Sequence, residues 1–164
     1  MQNPRVQTLI ETIELTQNLM VFYVKLLKDA DPKKVFSIEG IDLNSLYWLV
    51  AHLAWAENML ILDGTYGESV KLPWLDQFKF GAEHQIDEKV SFAELKTTAK
   101  DIHQKAIAHL NSLKDEDLDK PNALQFGFGQ DPTNKVVIMH FIRHLGTHIG
   151  HLSCLCKLHG VKAV

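Results

Sequence analysis

The segment VVIMHFIRHLGTHIGHLSCL, residues 136–155, carries the strongest signal in this sequence. Two of its histidines, His144 and His148, are one helical turn apart and therefore lie on the same face of a helix. A second apolar segment, residues 49–56 (LVAHLAWA), contains one histidine, His52. Three imidazole nitrogens from two helices leave coordination positions open, which is typical of catalytic metal sites. The pattern therefore predicts a metal site on these three histidines.

Composition and charge narrow the possible partners. The chain has 164 residues, 46% of them apolar, and we expect one domain over residues 1–164. The formal charge of -3 and the lack of a long Lys/Arg run argue against nucleic acid as a partner. No apolar run is long enough to cross a bilayer, and residues 1–5 do not resemble the start of a secretory signal. We therefore expect a cytoplasmic protein that does not bind membranes.

Apolar residues recur with helical periodicity over four stretches, approximately residues 5–29, 44–63, 91–113 and 131–160. Capping and breaking residues mark their ends: Asp31-Pro32, Asn44-Ser45, Gly64, the Ser91–Glu94 capping box, Asp131-Pro132-Thr133 and Gly160. Little in the sequence indicates strands. We therefore predict an all-α four-helix bundle.

The long connection between the second and third helices, residues 64–90, contains Trp74, Phe78 and Phe80. A purely solvated linker is not expected to carry three aromatic residues so close together. Two interpretations remain open at this stage. The connection closes over the open side of the metal, or it simply covers exposed core.

The remaining histidines divide into two groups. His84, His103 and His109 stand among polar residues and are predicted to be solvated, and His159 suits the last turn of a helix. His140 and His151 share the apolar face of the fourth helix with the predicted ligand pair. Burying several imidazoles without partners would cost about 1–3 kcal/mol each, a cost that a metal or water in a pocket relieves.

Several other chemistries find no support in the sequence. Cys154 and Cys156 are two residues apart, too few for a Cys-x-x-Cys motif, and on a helix they cannot bridge one another. The sequence has no Glu-x-x-His repeat, no His-Glu-x-x-His, no Gly-x-Ser-x-Gly and no phosphate-binding Gly-Lys-Ser/Thr loop. The candidate metal site is thus the feature on which a functional hypothesis depends.

Two segments resemble the motifs of the DinB-like (YfiT-like) superfamily. Residues 48–57 (WLVAHLAWAE) are similar to its second-helix motif, and residues 144–150 (HLGTHIG) to its fourth-helix motif. The end of the last helix, residues 150–160, and the loop segment 72–81 are similar as well. The resemblance implies a four-helix bundle, often a homodimer, with a divalent metal on His52, His144 and His148.

The sequence departs from that family at one position. Where the family often has Arg-Gly-Gln after the last histidine, this chain has Ile149, Gly150 and His151. His151 is either a group that supports the site from behind or a fourth ligand, and the sequence leaves both open.

The resemblance implies an activity that uses a low-molecular-weight thiol, because some relatives are thiol-dependent transferases or isomerases, while many others have no assigned activity. The leading hypothesis is a metal-dependent thiol S-transferase acting on an electrophilic substrate, with zinc or nickel as the ion. A metal-dependent hydrolase is the alternative enzyme. A non-catalytic metal or ligand binder linked to stress, and a purely structural bundle, also remain open. No general base is evident, because Glu57 lies far round the helix from His52 and Asp63 lies at the helix end.

Overall fold

The computed structural model describes residues 3–82 and 89–162. Four helices carry the fold: α1 (Pro4–Leu26), α2 (Leu46–Glu57), α3 (Phe92–Ser112) and α4 (Asn134–Leu158). Two short 3-10 turns, Leu75–Phe78 and Asp115–Asp119, lie in the connections. The predicted all-α four-helix bundle is confirmed.

Side-chain caps define where three of the helices begin. Ser45 accepts a hydrogen bond from the Trp48 N–H at the start of α2, and Ser91 forms the predicted capping box with Glu94 at the start of α3. The predicted start of α4 near Asp131-Pro132-Thr133 is correct, although Pro132 does not occupy the first helical turn. Thr133 is the N-cap, and the Pro132 carbonyl accepts a hydrogen bond from the Asn122 backbone instead.

The second predicted helix changes character after Glu57. Residues Asn58–Asp63 form a π-helical segment, a wider turn that is frequent at functional sites. The predicted stop at Gly64 is correct, although its backbone is not left-handed (φ -63°). Glycine is needed there because a Cβ would lie 2.2 Å from the Leu60 carbonyl oxygen.

Helices α2 and α3 run in the same direction. Contacts follow the same order along both helices: Tyr47 near the start of α2 contacts Phe92 at the start of α3, and Glu57 at the end of α2 contacts His103 in the second half of α3. Thr65, beyond the π-helical segment that follows α2, contacts His109 near the end of α3. Helices α1 and α4 run the opposite way, since the start of α1 and the start of α4 both contact the Asp115–Asp119 turn. A parallel pair of consecutive helices needs a crossover, and the long connection over residues 64–91 supplies it.

Two of the solvated histidines predicted from the sequence are not solvated. His103 is hydrogen-bonded to Glu57 at 2.8 Å and its side chain is only 19% exposed. His109 lies half-buried, with its Nε2 2.8 Å from the Thr65 hydroxyl. Their polar sequence neighbours concealed this because the parallel α2 brings partners that are far away in sequence. His84 lies outside the described residues.

A small antiparallel hairpin was not predicted. Strands β1 (Ser37–Ile38) and β2 (Ile41–Asp42) pair between α1 and α2. Glu39 and Gly40 both have positive φ, as a two-residue hairpin turn requires. The strands are exposed and too short to show a periodic pattern in the sequence.

Helix α2 is the central helix of the bundle, because every residue of it except Trp55 is buried. Trp48 is covered within one chain and is therefore not available to a second copy. Among the residues described, no helix has both the length and the apolarity to cross a bilayer.

Candidate metal centre

Three histidine rings meet between α2 and α4. The Nε2 atom of His144 lies 3.1 Å from that of His52 and 3.2 Å from that of His148. Two nitrogens bound to one tetrahedral zinc at about 2.0–2.1 Å would be about 3.3 Å apart. Both distances from His144 match that spacing, and candidate ligand atoms of all three histidines lie within 4.8 Å of one another. Among the described residues, this is the group that could hold a metal ion.

The protons on the three rings cannot satisfy all of these contacts. Each nitrogen–nitrogen contact needs a hydrogen between the two atoms. His52 commits its proton to Nδ1, and an N–H on His144 can point to only one of its two neighbours. A cation at the centre accepts the three lone pairs at once, so the donor set fits a metal ion.

The crossover fixes the orientation of His52. The His52 Nδ1 donates a hydrogen bond to the Phe78 backbone carbonyl, 2.6 Å away, which leaves Nε2 as the lone-pair nitrogen. The sequence could not predict this contact, because every residue has a backbone carbonyl and nothing marks the one at Phe78 as the partner. The long connection therefore contacts the site through the Phe78 backbone carbonyl, at the His52 nitrogen that does not face the other two histidines.

Of the two interpretations left open for the crossover, Phe78 fits the one in which the connection covers exposed core. Phe78 is fully buried against Tyr47 and Trp74, with ring centroids 5.9 and 6.5 Å away. Phe80 is 84% exposed. Phe78 is thus a core residue and Phe80 a surface residue. Neither forms the apolar wall expected of a lid over the open side.

Trp48 and Trp55 flank His52 on its own helix. The Trp48 ring stacks on the imidazole with a centroid distance of 4.6 Å and an angle of 14°, and Trp55 lies 5.9 Å away at 22°. Both tryptophans are within about one turn of His52, so the spacing contained this signal.

His151 supports the site rather than completing it. Its Nδ1 lies 3.2 Å from the Nδ1 of His148, on the side of that ring opposite Nε2. This position is that of a group that orients a ligand. Of the two roles left open by the sequence, the geometry favours the supporting one.

His140 does not belong to the cluster of His52, His144 and His148. Its ring stacks on Phe128 with centroids 3.7 Å apart, and its Nδ1 accepts a hydrogen bond from Arg143. Its ring centroid is 6.1 Å from that of His144. His140 therefore shares the helical face of the ligands without joining them.

Burial keeps the converging imidazoles neutral. Desolvation, with the neighbouring histidines adding to it, lowers the pKa of His144 to about 4 and that of His148 to about 3. Burial also lowers the pKa of His52, against the opposing effect of its bond to Phe78. Neutral imidazoles have the free lone pairs that a metal needs. One buried nitrogen, Nδ1 of His144, has no hydrogen-bond partner among the described residues.

His151→Ala tests the supporting role. We expect metal affinity to fall about 10- to 100-fold, because the His148 ring loses the group that holds it. Isothermal titration with zinc measures the change, and His140→Ala is the matched control on the same helix. An unchanged affinity in His151→Ala would show that His151 does not orient His148.

Fold and site together define a class of protein, a four-helix bundle whose helices present three histidines that could hold one metal ion. The family model of the DinB superfamily matches residues 12–152, which include all three histidines. The chain belongs to the DinB superfamily. No curated protein matches it in a sequence comparison.

Proposed function

We propose that this protein is a divalent-metal-dependent thiol S-transferase that joins a low-molecular-weight thiol to an electrophilic substrate. The observation that carries the proposal is the convergence of three neutral Nε2 atoms from His52, His144 and His148. Three protein ligands leave room for a reactant at the ion, as in catalytic zinc sites. Zinc or nickel is the proposed ion.

The chain would hold the ion by fixing its ligands. His52 is held by the Phe78 carbonyl, stacked on Trp48, and His148 is held by His151. A divalent ion in this position would supply positive charge that stabilises an anionic sulfur or oxygen. The surrounding residues keep the imidazoles neutral and oriented, so that little reorganisation is needed when reactants bind.

A thiol suits this site better than water does. Among the described residues, the group that could hold a metal contains histidines and no carboxylate. Glu57, the buried acid on α2, is engaged with His103 instead. A free thiol has a pKa near 8.5 against 15.7 for free water, and a bound ion would lower both, so the thiol starts closer to its anion and depends less on a base. This difference favours the transferase over the hydrolase.

A homodimer and a cytoplasmic location are also proposed. Leu15, Leu19 and Phe22 form an apolar stripe on the outer face of α1 and are 74%, 46% and 39% exposed. A second copy packing on this stripe would bury it. Leu19→Glu should then convert a dimer into a monomer in sedimentation experiments. If the Leu15→Glu and Leu19→Glu proteins both sediment like the wild type, the interface is not on this stripe.

An alkylation assay tests the proposed activity. We expect the metal-loaded protein to accelerate the reaction of monobromobimane with cysteine or glutathione, and we expect His144→Ala to lose the acceleration. Hydrolysis of a nitrophenyl ester, without any acceleration of thiol alkylation, would favour the hydrolase. A metal-loaded protein inactive in both assays would support a binding role without turnover.

A further inference from the structure

A cleft lies between α1 and α3, away from the three histidines of the candidate metal site. It encloses about 470 Å³, within the range of small-molecule sites. On α3 its lining extends from Phe92 to His103, a length of about 16 Å at the helical rise of 1.5 Å per residue. None of the three metal-site histidines lines this cleft, so it is a separate feature.

The floor of the cleft is apolar. It is lined by Val21 and Val24 of α1, Phe92 and Ala99 of α3, and Val50 of α2. Val50 is buried and the other four are half-buried, so their remaining exposed surface opens into the cleft. A floor of this kind suits an aliphatic chain, because each buried CH₂ group contributes about 0.8 kcal/mol.

The rim of the cleft is basic. Four lysines line it, Lys25, Lys28, Lys96 and Lys100, and no aspartate or glutamate does. This concentration of positive charge contrasts with the whole chain, whose formal charge is -3.

The positive charges of the rim lysines are hardly neutralised by acidic side chains of the protein. Within the described part of the chain, Lys25, Lys96 and Lys100 form no ion pair, and Lys28 has only Asp29 at 3.9 Å. Lys96 lies 5.1 Å from the centre of the Phe92 ring, at the edge of the apolar floor. These ammonium groups are therefore available to an anion that arrives with the apolar chain.

We propose that the cleft between α1 and α3 binds a single-chain amphipathic carboxylate of the fatty-acid type, with its chain on the valine floor and its carboxylate among the lysines. The enclosed volume suits one small molecule, whereas a stable protein partner would need about 800 Å² on each side. The floor without a charged rim would not select an anion. The rim without the floor would not select a chain.

Titration calorimetry with dodecanoate below its micellar concentration tests the proposal. We expect one molecule to bind per chain, dodecyltrimethylammonium to bind at least tenfold more weakly, and acetate not to bind. Because the ammonium probe has the same tail and the opposite charge, equal binding of the two amphiphiles would overturn the proposal. Binding to anionic lipid vesicles without binding of monomeric dodecanoate would overturn it in favour of a membrane surface.

Variants separate the rim from the floor. Lys96→Glu/Lys100→Glu should weaken dodecanoate binding at least tenfold, and Lys25→Glu/Lys28→Glu provides an independent pair on α1. Lys135→Glu/Lys162→Glu makes the same change in net charge away from the cleft and should bind as the wild type does. Ala99→Phe should block the floor with the lysines intact. Unchanged affinity in the two rim variants and in Ala99→Phe, with circular dichroism showing folded proteins, would refute the site.

Discussion

His144→Ala is expected to reduce metal affinity by about 100-fold or more while leaving the helical bundle folded. His144 would be the central ligand, because its Nε2 lies next to those of both His52 and His148. Even groups that only orient ligands contribute about 10- to 100-fold to metal affinity, so a loss at the upper end of that range or beyond follows for a ligand itself. The core of α4 is formed by other residues, among them Val137, Phe141 and Leu152, and the variant retains them.

Thermal unfolding with and without zinc measures this effect on the intact protein. At a free metal concentration of about 100 times Kd, binding should stabilise the wild type by about 2.7 kcal/mol. His144→Ala and His148→Ala should show almost none of this stabilisation, whereas His140→Ala should keep it. His140 is the matched control, since it lies one turn away on the same face and stacks on Phe128 instead. Full metal content in both ligand variants would show that the ion binds elsewhere.

His103→Leu is expected to destabilise the fold by about 3–5 kcal/mol, because it leaves the buried carboxylate of Glu57 without its partner. The side chain of Glu57 is 4% exposed and its Oε1 lies 2.8 Å from the His103 Nδ1. Desolvation lowers the pKa of His103, but the hydrogen bond to Glu57 and the charges of Glu57 and Glu14 outweigh it, so the net change is upward. Burial raises the pKa of Glu57 against the opposing effect of His103.

Two further variants serve as controls for His103→Leu. The double variant Glu57→Met/His103→Leu should recover most of the lost stability, because it removes the unpaired charge. His109→Leu, on the same helix, should cost only about 1–3 kcal/mol, since His109 bonds a neutral hydroxyl. Urea unfolding of the three variants measures the differences. Equal losses in His103→Leu and the double variant would show that packing, and not the buried charge, sets the cost.

The pH dependence of the same variant has a definite sign. In the wild type, the raised pKa of His103 gives stability that is fully present below its unfolded pKa and is lost as pH rises through the folded value. In His103→Leu, the cost comes from the charged form of Glu57. Protonation removes that charge, so the deficit relative to the wild type should shrink as pH falls through the raised pKa of Glu57. A deficit that is constant from neutral pH down to pH 4 would contradict this account.

The sequence by itself determined the helices and the three converging histidines. Helical periodicity is a local property, so the i,i+4 spacing of His144 and His148 placed both on one face before any packing was known. The apolar stripe of α2 placed His52 inward for the same reason. Caps such as Ser91 with Glu94 are equally local, since all of their partners lie within four residues.

The tertiary structure decided what surrounds those histidines. The parallel arrangement of α2 and α3 brings His103 to Glu57 and His109 to Thr65, 46 and 44 positions away in sequence, where their polar neighbours had indicated solvent. It also requires the crossover that carries the Phe78 carbonyl to His52. Contacts of this kind depend on helix direction and on backbone atoms that every residue has. Side-chain periodicity contains neither kind of information, and for that reason the three histidines could be predicted while the backbone contact that orients His52 could not.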